Sequence, residues 1–431
     1  MPVRRNHLID LCRIASMVVV VVFHTLLWQV LLVDGRVVVV PWAPGPVLWA
    51  ISWVATIIPV FFIAAGYANA VVVDSWRRSG DTYARFLTTR GSRLLGPMTL
   101  FMAVFTLVGT VAAWAGFAPA AGQLSRQFAQ LLWFAVVYLL LLAAAPLAVA
   151  AHDRLGAWVM LPLLAAVIAV DVAVRLSGDQ HLQWLNLAFV WPLAHQWGIA
   201  YHRGWFRAWR PAVTAGALVA GAGVIAVLVF RLGYPPAAVA WADVLVANLL
   251  PPTLAITVLG FCQTCVVGLL ERAGVASRLS ATADRAVRVV NALLLSVYLW
   301  QIPAIVVCAG ILVGLSLLIP AAAGVLMHPL VLVVAVLALL AAVVPVLARL
   351  EVKLIPAAAP GQPNQATAIT GYALLVCGVW AVWQWGAVIH PSDPTGILAV
   401  ALFAAGSWLL RQATLGAGTG RLSLPTHSAE A

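Results

Sequence analysis

The sequence has little charge, a single lysine and few cysteines, and these shortages exclude whole classes of protein. Only 9% of its 431 residues are charged, whereas a soluble domain carries about 25%. Hydrophobic residues make up 64% of the chain, and the mean hydropathy is +1.03. These values exclude an ordinary soluble enzyme and predict an integral membrane protein over most of the length.

The five cysteines are scattered along the chain and do not outline a disulfide framework. Cys262 and Cys265 form a C-x-x-C pair inside an apolar segment, with no second pair and no histidine nearby. Such residues are more typical of a membrane helix than of a metal or redox centre. We therefore expect no metal site.

Long apolar segments predict an all-α polytopic fold with about twelve spans. The segments are 11–33, 46–73, 94–116, 128–151, 157–175, 184–201, 211–231, 243–270, 287–316, 322–348, 367–389 and 395–411. The first is too long for a cleaved signal peptide and is interpreted as a retained span. We expect a ten-helix core at 1–355, a linker at 356–366, two additional helices at 367–411 and a disordered cytoplasmic tail at 412–431.

The positive charge sorts to one side of these spans. The net charge is +11, and all but four of the 24 basic residues fall in connections on one side. The exceptions are Arg36, Arg126, Arg175 and Arg231. The positive-inside rule then predicts an even number of spans in the cytoplasmic membrane, with both termini in the cytoplasm. The bilayer, and not nucleic acid, is the partner that this charge pattern indicates.

The first predicted span carries an arginine and a histidine on one face, after a polar lead-in that includes Asp10. Arg13 and His24 are 11 residues apart, about 20° past three full turns and about 16 Å along the helix axis. An ionisable group this deep in a span is a functional hypothesis, and the usual imidazole pKa of about 6.5 suits removal of a hydroxyl proton. A histidine that only hydrogen-bonds a neighbouring helix is the alternative.

A second basic motif lies at the cytoplasmic start of the third predicted helix. Arg90 and Arg93 are three residues apart and share a helix face. Arginine pairs bind phosphates bidentately. The alternative is that these arginines only set the membrane topology.

Two weaker motifs combine aromatic and small residues. Gly66, followed by Tyr67, would allow close helix approach or local unwinding beside a site. Trp133 and Tyr138 lie near the outer end of a predicted helix, where an aromatic belt at the membrane interface is the preferred interpretation.

A polar patch interrupts the long ninth apolar segment. It contains Ser296, Tyr298 and Gln301, and Pro303 is expected to kink the helix there. Four other polar residues in apolar segments either line a cavity or bridge helices: Asp171, His195, Asn248 and Asn291.

In this order, the motifs resemble those of the integral-membrane acyltransferase-3 family. The matching patterns are R-N-x-x-[LI]-D-x-x-R-x10-H, FF-x-x-x-G-Y, R-x-x-R-x-x-x-P, LWF and S-x-Y-L, over roughly residues 4–350. The two spaced pairs, Arg13 with His24 and Arg90 with Arg93, are the most specific part. The family includes acetylases of O-antigen, peptidoglycan, other envelope glycans and some antibiotics.

The resemblance implies transfer of an acyl group, usually acetyl, from cytoplasmic acyl-coenzyme A to a hydroxyl of an extracytoplasmic glycan or small-molecule acceptor. It implies that His24 is the catalytic group, that Arg13, Arg90 and Arg93 engage coenzyme A, and that acetyl-CoA is the co-substrate. The remaining motif residues would support the site: Asp10, Gly66, Tyr67, Trp133, Tyr138, Ser296, Tyr298 and Gln301. General-base and acyl-imidazole mechanisms stay open, as do the acceptor, the acyl chain length and a homo-oligomeric state.

The chain departs from the family pattern at two positions. Ala65 precedes Gly66 where members often have serine, and Gln301 stands where many have histidine. Glutamine can hydrogen-bond but cannot act as an acid or base at neutral pH. The alternative function is a transporter or flippase for an anionic or glycan substrate. A purely structural subunit would leave the alignment of Arg13 with His24 unexplained.

Overall fold

A computed structural model describes residues 6–33, 36–43, 45–241, 243, 246–357 and 361–416. The chain forms two compact units. The first comprises Met1–Ser75 and Leu140–Pro345, and the second comprises Trp76–Leu139 and Val346–Ala431.

Helices dominate both units. In chain order they are α1 (His7–Leu26), α2 (Pro46–Ala55), α3 (Ile58–Ser79), α4 (Tyr83–Ala112), α5 (Ala118–Ala129), α6 (Leu132–Leu155), α7 (Met160–Ser177), α8 (Leu187–His202), α9 (Trp205–Ala208), α10 (Pro211–Phe230), α11 (Leu254–Arg272), α12 (Ala281–Leu318), α13 (Ala323–Leu326), α14 (Pro329–Leu354), α15 (Gln365–Trp385) and α16 (Pro394–Leu415). A π-helical turn at Ala113–Phe117 and 3-10 turns at Gly156–Val159, Gln180–Asn186 and Pro320–Ala322 join some of them.

The first span is shorter than predicted, because a β-hairpin replaces its C-terminal third. Strands β1 (Trp28–Val33) and β2 (Arg36–Pro41) pair antiparallel, with Trp28 opposite Pro41. The prediction of helix over 11–33 was therefore wrong beyond Leu26. The hairpin sequence is rich in valine, which favours strands, and an Asp-Gly pair separates its two halves.

The first unit is held together by close helix contacts. Helix α1 packs along α12, and α8 packs against α7 and α11. At the crossing of α3 and α8, a Cβ on Gly66 would lie 2.0 Å from the His195 carbonyl oxygen, and one on Gly198 would lie 1.9 Å from that of Ile63. Close helix approach, one of the two roles predicted for Gly66, is therefore what the structure has, and α3 continues through it without unwinding.

The second unit is built around α4, α15 and α16. Helices α15 and α16 form an antiparallel hairpin with backbones so close that a Cβ on Gly406 would lie 2.2 Å from the Leu375 amide nitrogen. Both helices pack against α4, and α15 also contacts α5. The N-terminal half of α4 meets the end of α14, where a Cβ on Gly96 would lie 2.3 Å from the Glu351 carbonyl oxygen.

Among the described residues, ten helical segments are long and apolar enough to cross a membrane. The prediction of a mainly helical, polytopic membrane protein is confirmed, with the β-hairpin as the exception. The span count and the side of each terminus remain predictions. Helix α12 runs unbroken through Pro303.

The predicted domain division is not tested by these units. Helices α15 and α16 share a unit with α4 and α5. In the predicted linker, residues 358–360 lie outside the described residues, and α15 begins at Gln365. Helix α16 continues to Leu415, and the rest of the predicted disordered tail, 417–431, lies outside the described residues.

Candidate active site

Helix α1 begins with a well-formed N-cap and is anchored against α12. The Asn6 side chain accepts a hydrogen bond from the Ile9 amide at 3.2 Å. Asp10 lies in the first turn, where a negative charge interacts favourably with the helix dipole. The Asn291 amide donates to the Asp10 carbonyl oxygen at 3.2 Å. These contacts set the depth of every later residue on α1.

Helices α1 and α12 run parallel. At one end His7 and Asp284 are 3.4 Å apart. At the other end Thr25 and Leu26 line a cavity of about 130 Å³ together with Ala309. Since both helices rise about 1.5 Å per residue, residues of α12 can be placed at matching heights on α1.

His24 has a defined tautomer. Its Nδ1 lies 2.7 Å from the Val20 carbonyl oxygen. A carbonyl oxygen can only accept, so Nδ1 carries a proton, and in the neutral imidazole Nε2 keeps its lone pair. The ring is half-buried, and the adjacent Phe23 packs edge-on against Trp241, with ring centroids 5.0 Å apart. The structure thus presents an imidazole whose Nε2 can accept a proton.

Arg13 is half-buried on the same helix, and its guanidinium has no hydrogen-bond or ion-pair partner among the described residues. Asn291 of α12 contacts Asp10 of α1. Because the two helices rise equally per residue, the polar patch of α12 (Ser296, Tyr298 and Gln301) lies at heights between Arg13 and His24. Tyr298 and Gln301 are both buried there. The first unit therefore brings Arg13, His24 and this patch onto two neighbouring helices.

Gln301 is fully buried and only partly satisfied. Its Nε2 donates to the Tyr298 carbonyl oxygen at 3.1 Å, whereas its Oε1 has no partner among the described residues. Ser296 is also buried, 2% exposed, and both belong to α12.

Tyr67 lies near the start of α1 and not near His24. Its ring packs edge-on against those of Tyr201 and His202, with centroids 5.8 and 5.2 Å away. The Tyr201 hydroxyl accepts from the Asn6 side chain at 3.4 Å. Tyr67 therefore belongs to a packing cluster around the N-terminus of α1.

Arg90 and Arg93 belong to the second unit, on α4, which begins at the N-cap Thr82. Arg90 is half-buried and Arg93 is exposed. Neither has a hydrogen-bond or ion-pair partner among the described residues, and the two positive charges repel each other. A partly desolvated, unpaired guanidinium is costly, so this pair is suited to an anionic ligand.

Trp133 and Tyr138 lie at the start of α6 in the same unit. Trp133 is 6% exposed, so the interpretation as an aromatic belt facing lipid is wrong for this residue. Tyr138 is half-buried, stacks on Phe134 with ring centroids 6.4 Å apart, and lies within electrostatic range of Arg90.

Among the described residues, no three His, Cys, Asp or Glu side chains gather as ligands for a metal ion. Cys262 and Cys265 are both buried in α11.

The chain matches the profile of the acyltransferase-3 family, described as an acyltransferase domain, over residues 6–348. It belongs to the acyltransferase-3 family. The resemblance inferred from the spaced motifs is thereby confirmed, and the protein is a membrane acyltransferase. The comparisons with curated proteins and with solved structures found no match. Helices α15 and α16 lie outside the part of this acyltransferase that matches the family.

Sequence reasoning missed an ion cluster that this acyltransferase forms in its first unit. Arg203 donates to both oxygens of Asp74, at 2.6 and 2.9 Å, and to both oxygens of Asp153, at 2.8 and 3.1 Å. His202 lies 3.0 Å from Asp74. The hydrogen bonds to Asp74 and Asp153 raise the pKa of Arg203. Two acidic residues at the ends of apolar segments were the available signal.

The second missed cluster surrounds Asp171, which the sequence marked only as a buried polar residue. The carboxylate accepts four hydrogen bonds of 2.7–2.8 Å, from the side chains of Gln183, Asn186 and Tyr234 and from the Leu254 amide. This ties α7 to the loop before α11. The cluster adjoins a cavity of about 750 Å³. The Asp171 carboxylate is fully hydrogen-bonded, whereas Asn186 Oδ1 has no partner among the described residues.

Proposed function

We propose that this acyltransferase moves an acyl group, most simply acetyl, from acyl-coenzyme A on the cytoplasmic side to a hydroxyl of an extracytoplasmic glycan or small-molecule acceptor. The observation that carries the proposal is the tautomer of His24. With Nδ1–H donating to the Val20 carbonyl oxygen, Nε2 of the neutral imidazole is left as the proton acceptor. It stands on the same helix face as Arg13, about 16 Å farther along the axis.

The donor fits the positive charges that the protein leaves unpaired. Coenzyme A is rich in phosphate, and Arg90, Arg93 and Arg13 are guanidinium groups without partners among the described residues. Guanidinium groups bind phosphate oxygens in charge-assisted pairs. The extended pantetheine arm suits the interval between Arg13 and His24. The unpaired Oε1 of Gln301 is an acceptor for an amide N–H of that arm.

Two chemical routes start from the same Nε2. In the first, Nε2 takes the proton of the acceptor hydroxyl while the hydroxyl oxygen attacks the thioester carbonyl. The departing thiolate then receives that proton. In the second, Nε2 itself attacks the thioester, the carbon–sulfur bond breaks and the thiolate leaves. The acceptor hydroxyl then displaces the imidazole from the acyl group, and its proton goes to the thiolate. Both routes need a neutral imidazole.

The proposal includes twelve crossings with both termini in the cytoplasm. The segment Leu132–Ser177 has 46 residues, or about 69 Å of helix, more than twice the hydrocarbon thickness. Its positive-φ glycine, Gly156, is the break between two crossings. Helix α8, with 16 residues, is short for a span but is largely buried among other helices. Tyr83–Ala129, with 47 residues, also breaks at a positive-φ glycine, Gly116, but the 12-residue α5 beyond it is too short for a crossing. Counting these changes turns ten segments into twelve crossings.

The deciding experiment uses purified protein in liposomes with acetyl-labelled coenzyme A and envelope extract as acceptor. We expect wild type to release coenzyme A thiol, and His24→Asn to reduce turnover by about 10³-fold. Asparagine can still donate to the Val20 carbonyl oxygen but has no proton-accepting nitrogen. His181→Ala, at an exposed histidine, is the matched control and should leave turnover unchanged.

Retention of full turnover by His24→Asn would remove His24 from the chemistry. Uptake of label or glycan by wild-type liposomes without any thioester cleavage would instead favour a transporter or flippase.

A further inference from the structure

The α15–α16 hairpin lies outside the part of the chain that matches the family, yet it packs directly behind the arginine pair. At the start of α4, Ala84 is fully buried against Ala368 of α15 and Ala413 of α16. Two turns farther along, Gly91 meets both helices again. A Cβ there would lie 2.8 Å from Leu410 Cδ2 and 3.2 Å from ring carbons of Tyr372.

These contacts define one face of α4. Ala84 and Gly91 are seven residues apart, about 20° short of two full turns, so they face the same way. The midpoint between Arg90 and Arg93 lies about 140° around the helix from that face. The hairpin therefore packs against the side of α4 that faces away from Arg90 and Arg93. Any rotation of α4 against the hairpin would turn the two arginines.

The part of the hairpin that contacts α4 is itself closely packed. Leu410 is fully buried, and a Cβ on Gly371 would lie 2.6 Å from the Leu410 amide nitrogen. Tyr372 is 3% exposed, and its hydroxyl donates to the Leu139 carbonyl oxygen at 2.8 Å. Leu139 follows Tyr138, the residue within electrostatic range of Arg90. Tyr372 thus connects the α15–α16 hairpin to the segment of α6 that neighbours Arg90.

We infer that the α15–α16 hairpin is a working part of the donor site, with Tyr372 and Leu410 as positioning residues that set the rotation of α4 and so aim Arg90 and Arg93 at the phosphates of coenzyme A. The inference rests on the proposed function, because it takes coenzyme A as the ligand of the two arginines. Neither Tyr372 nor Leu410 needs to touch the donor.

The test measures coenzyme A affinity and steady-state kinetics of the full-length protein in nanodiscs. Gly91→Ala places a methyl group against Leu410 and Tyr372 and should raise the donor Kd and KM on the order of ten-fold, with a smaller change in kcat. The double variant Gly91→Ala/Leu410→Ala makes room for that methyl group and should return the Kd to within about two-fold of wild type.

Tyr372→Phe keeps the ring and removes only the hydrogen bond to Leu139, so it should weaken donor binding about three-fold even if Gly91→Ala proves unstable. Gly109→Ala is the matched control on the same helix, because its nearest contact is Val388 at 3.1 Å and it lies 18 residues beyond Gly91. It should not change the Kd.

Two failures can be told apart. If Arg93→Ala weakens coenzyme A binding while Gly91→Ala and Tyr372→Phe match wild type, the hairpin does not position the arginines, and the proposed function stands. If Arg93→Ala itself binds coenzyme A normally, the donor assignment fails and the hairpin inference fails with it.

Discussion

Arg203 of the first unit and Arg90 of the second are both partly withdrawn from solvent, but their surroundings are opposite. Arg203 is held by the carboxylates of Asp74 and Asp153. Arg90 has no such partner among the described residues and a second cation, Arg93, close by. A protein offsets the cost of desolvating a charge either with its own groups or with a ligand. The contrast separates a structural arginine from one suited to bind an anion.

The largest expected effect comes from removing Arg90 and Arg93, the two arginines of α4. Arg90→Ala/Arg93→Ala should weaken coenzyme A binding by about 100-fold, because charge-assisted contacts to phosphate are lost. Isothermal titration of the purified protein measures this affinity. Thermal stability should not fall, since no internal partner is lost.

The matched control is Arg78→Ala, at an exposed arginine at the end of α3. Its coenzyme A affinity should equal that of wild type. An equal loss of affinity in this variant would mean that general positive charge, and not the pair on α4, attracts the donor.

Removing Arg203 should have the opposite effect, a loss of stability without a loss of donor affinity. Arg203→Ala leaves two carboxylates without their shared cation and should cost about 1–3 kcal/mol of unfolding free energy, a range lowered for the partial exposure of the cluster. Donor affinity of the folded protein should stay the same. Denaturant titration in detergent gives the first quantity and calorimetric titration the second.

Arg207→Ala supplies the comparison for that variant. Arg207 is exposed and lies 3.6 Å from Glu271, so its loss should cost less than about 0.5 kcal/mol. If both variants were equally unstable, the clamp on Arg203 would have no special structural role.

The smallest effect concerns the fully hydrogen-bonded carboxylate of Asp171. Tyr234→Phe removes one of the four hydrogen bonds to the carboxylate and should cost about 1 kcal/mol. Burial and the bond to Asp171 raise the pKa of Tyr234 in the folded protein. Its stabilising contribution is therefore complete below the unfolded pKa of about 10 and declines as the pH rises above it.

Unfolding measured from pH 8 to 11 checks this sign. Wild type should lose stability above pH 10 more steeply than Tyr234→Phe. Parallel profiles for the two proteins would show that the hydroxyl ionises as readily in the folded state as in the unfolded chain.

Local patterns were the part that the sequence predicted best. The alignment of Arg13 with His24 needs only a helix, and the bond from His24 to Val20 spans one turn of the same helix. The strand pair at Trp28–Pro41 was missed although its signal was also local. A hydropathy criterion does not distinguish a valine-rich hairpin from the end of a span, and the Asp-Gly pair was the available evidence.

By itself, the amino-acid sequence determined the membrane class, the family and the helix face that carries Arg13 and His24. These follow from composition and from a helical period that repeats within a few residues. Only the tertiary structure decided which charges are neutralised. Arg203 meets Asp74 across 129 residues, and Asp171 meets the Leu254 amide across 83. The packing of Leu410 against Gly91 is equally non-local. Such contacts depend on how helices pack in three dimensions, and no periodicity along the chain encodes them.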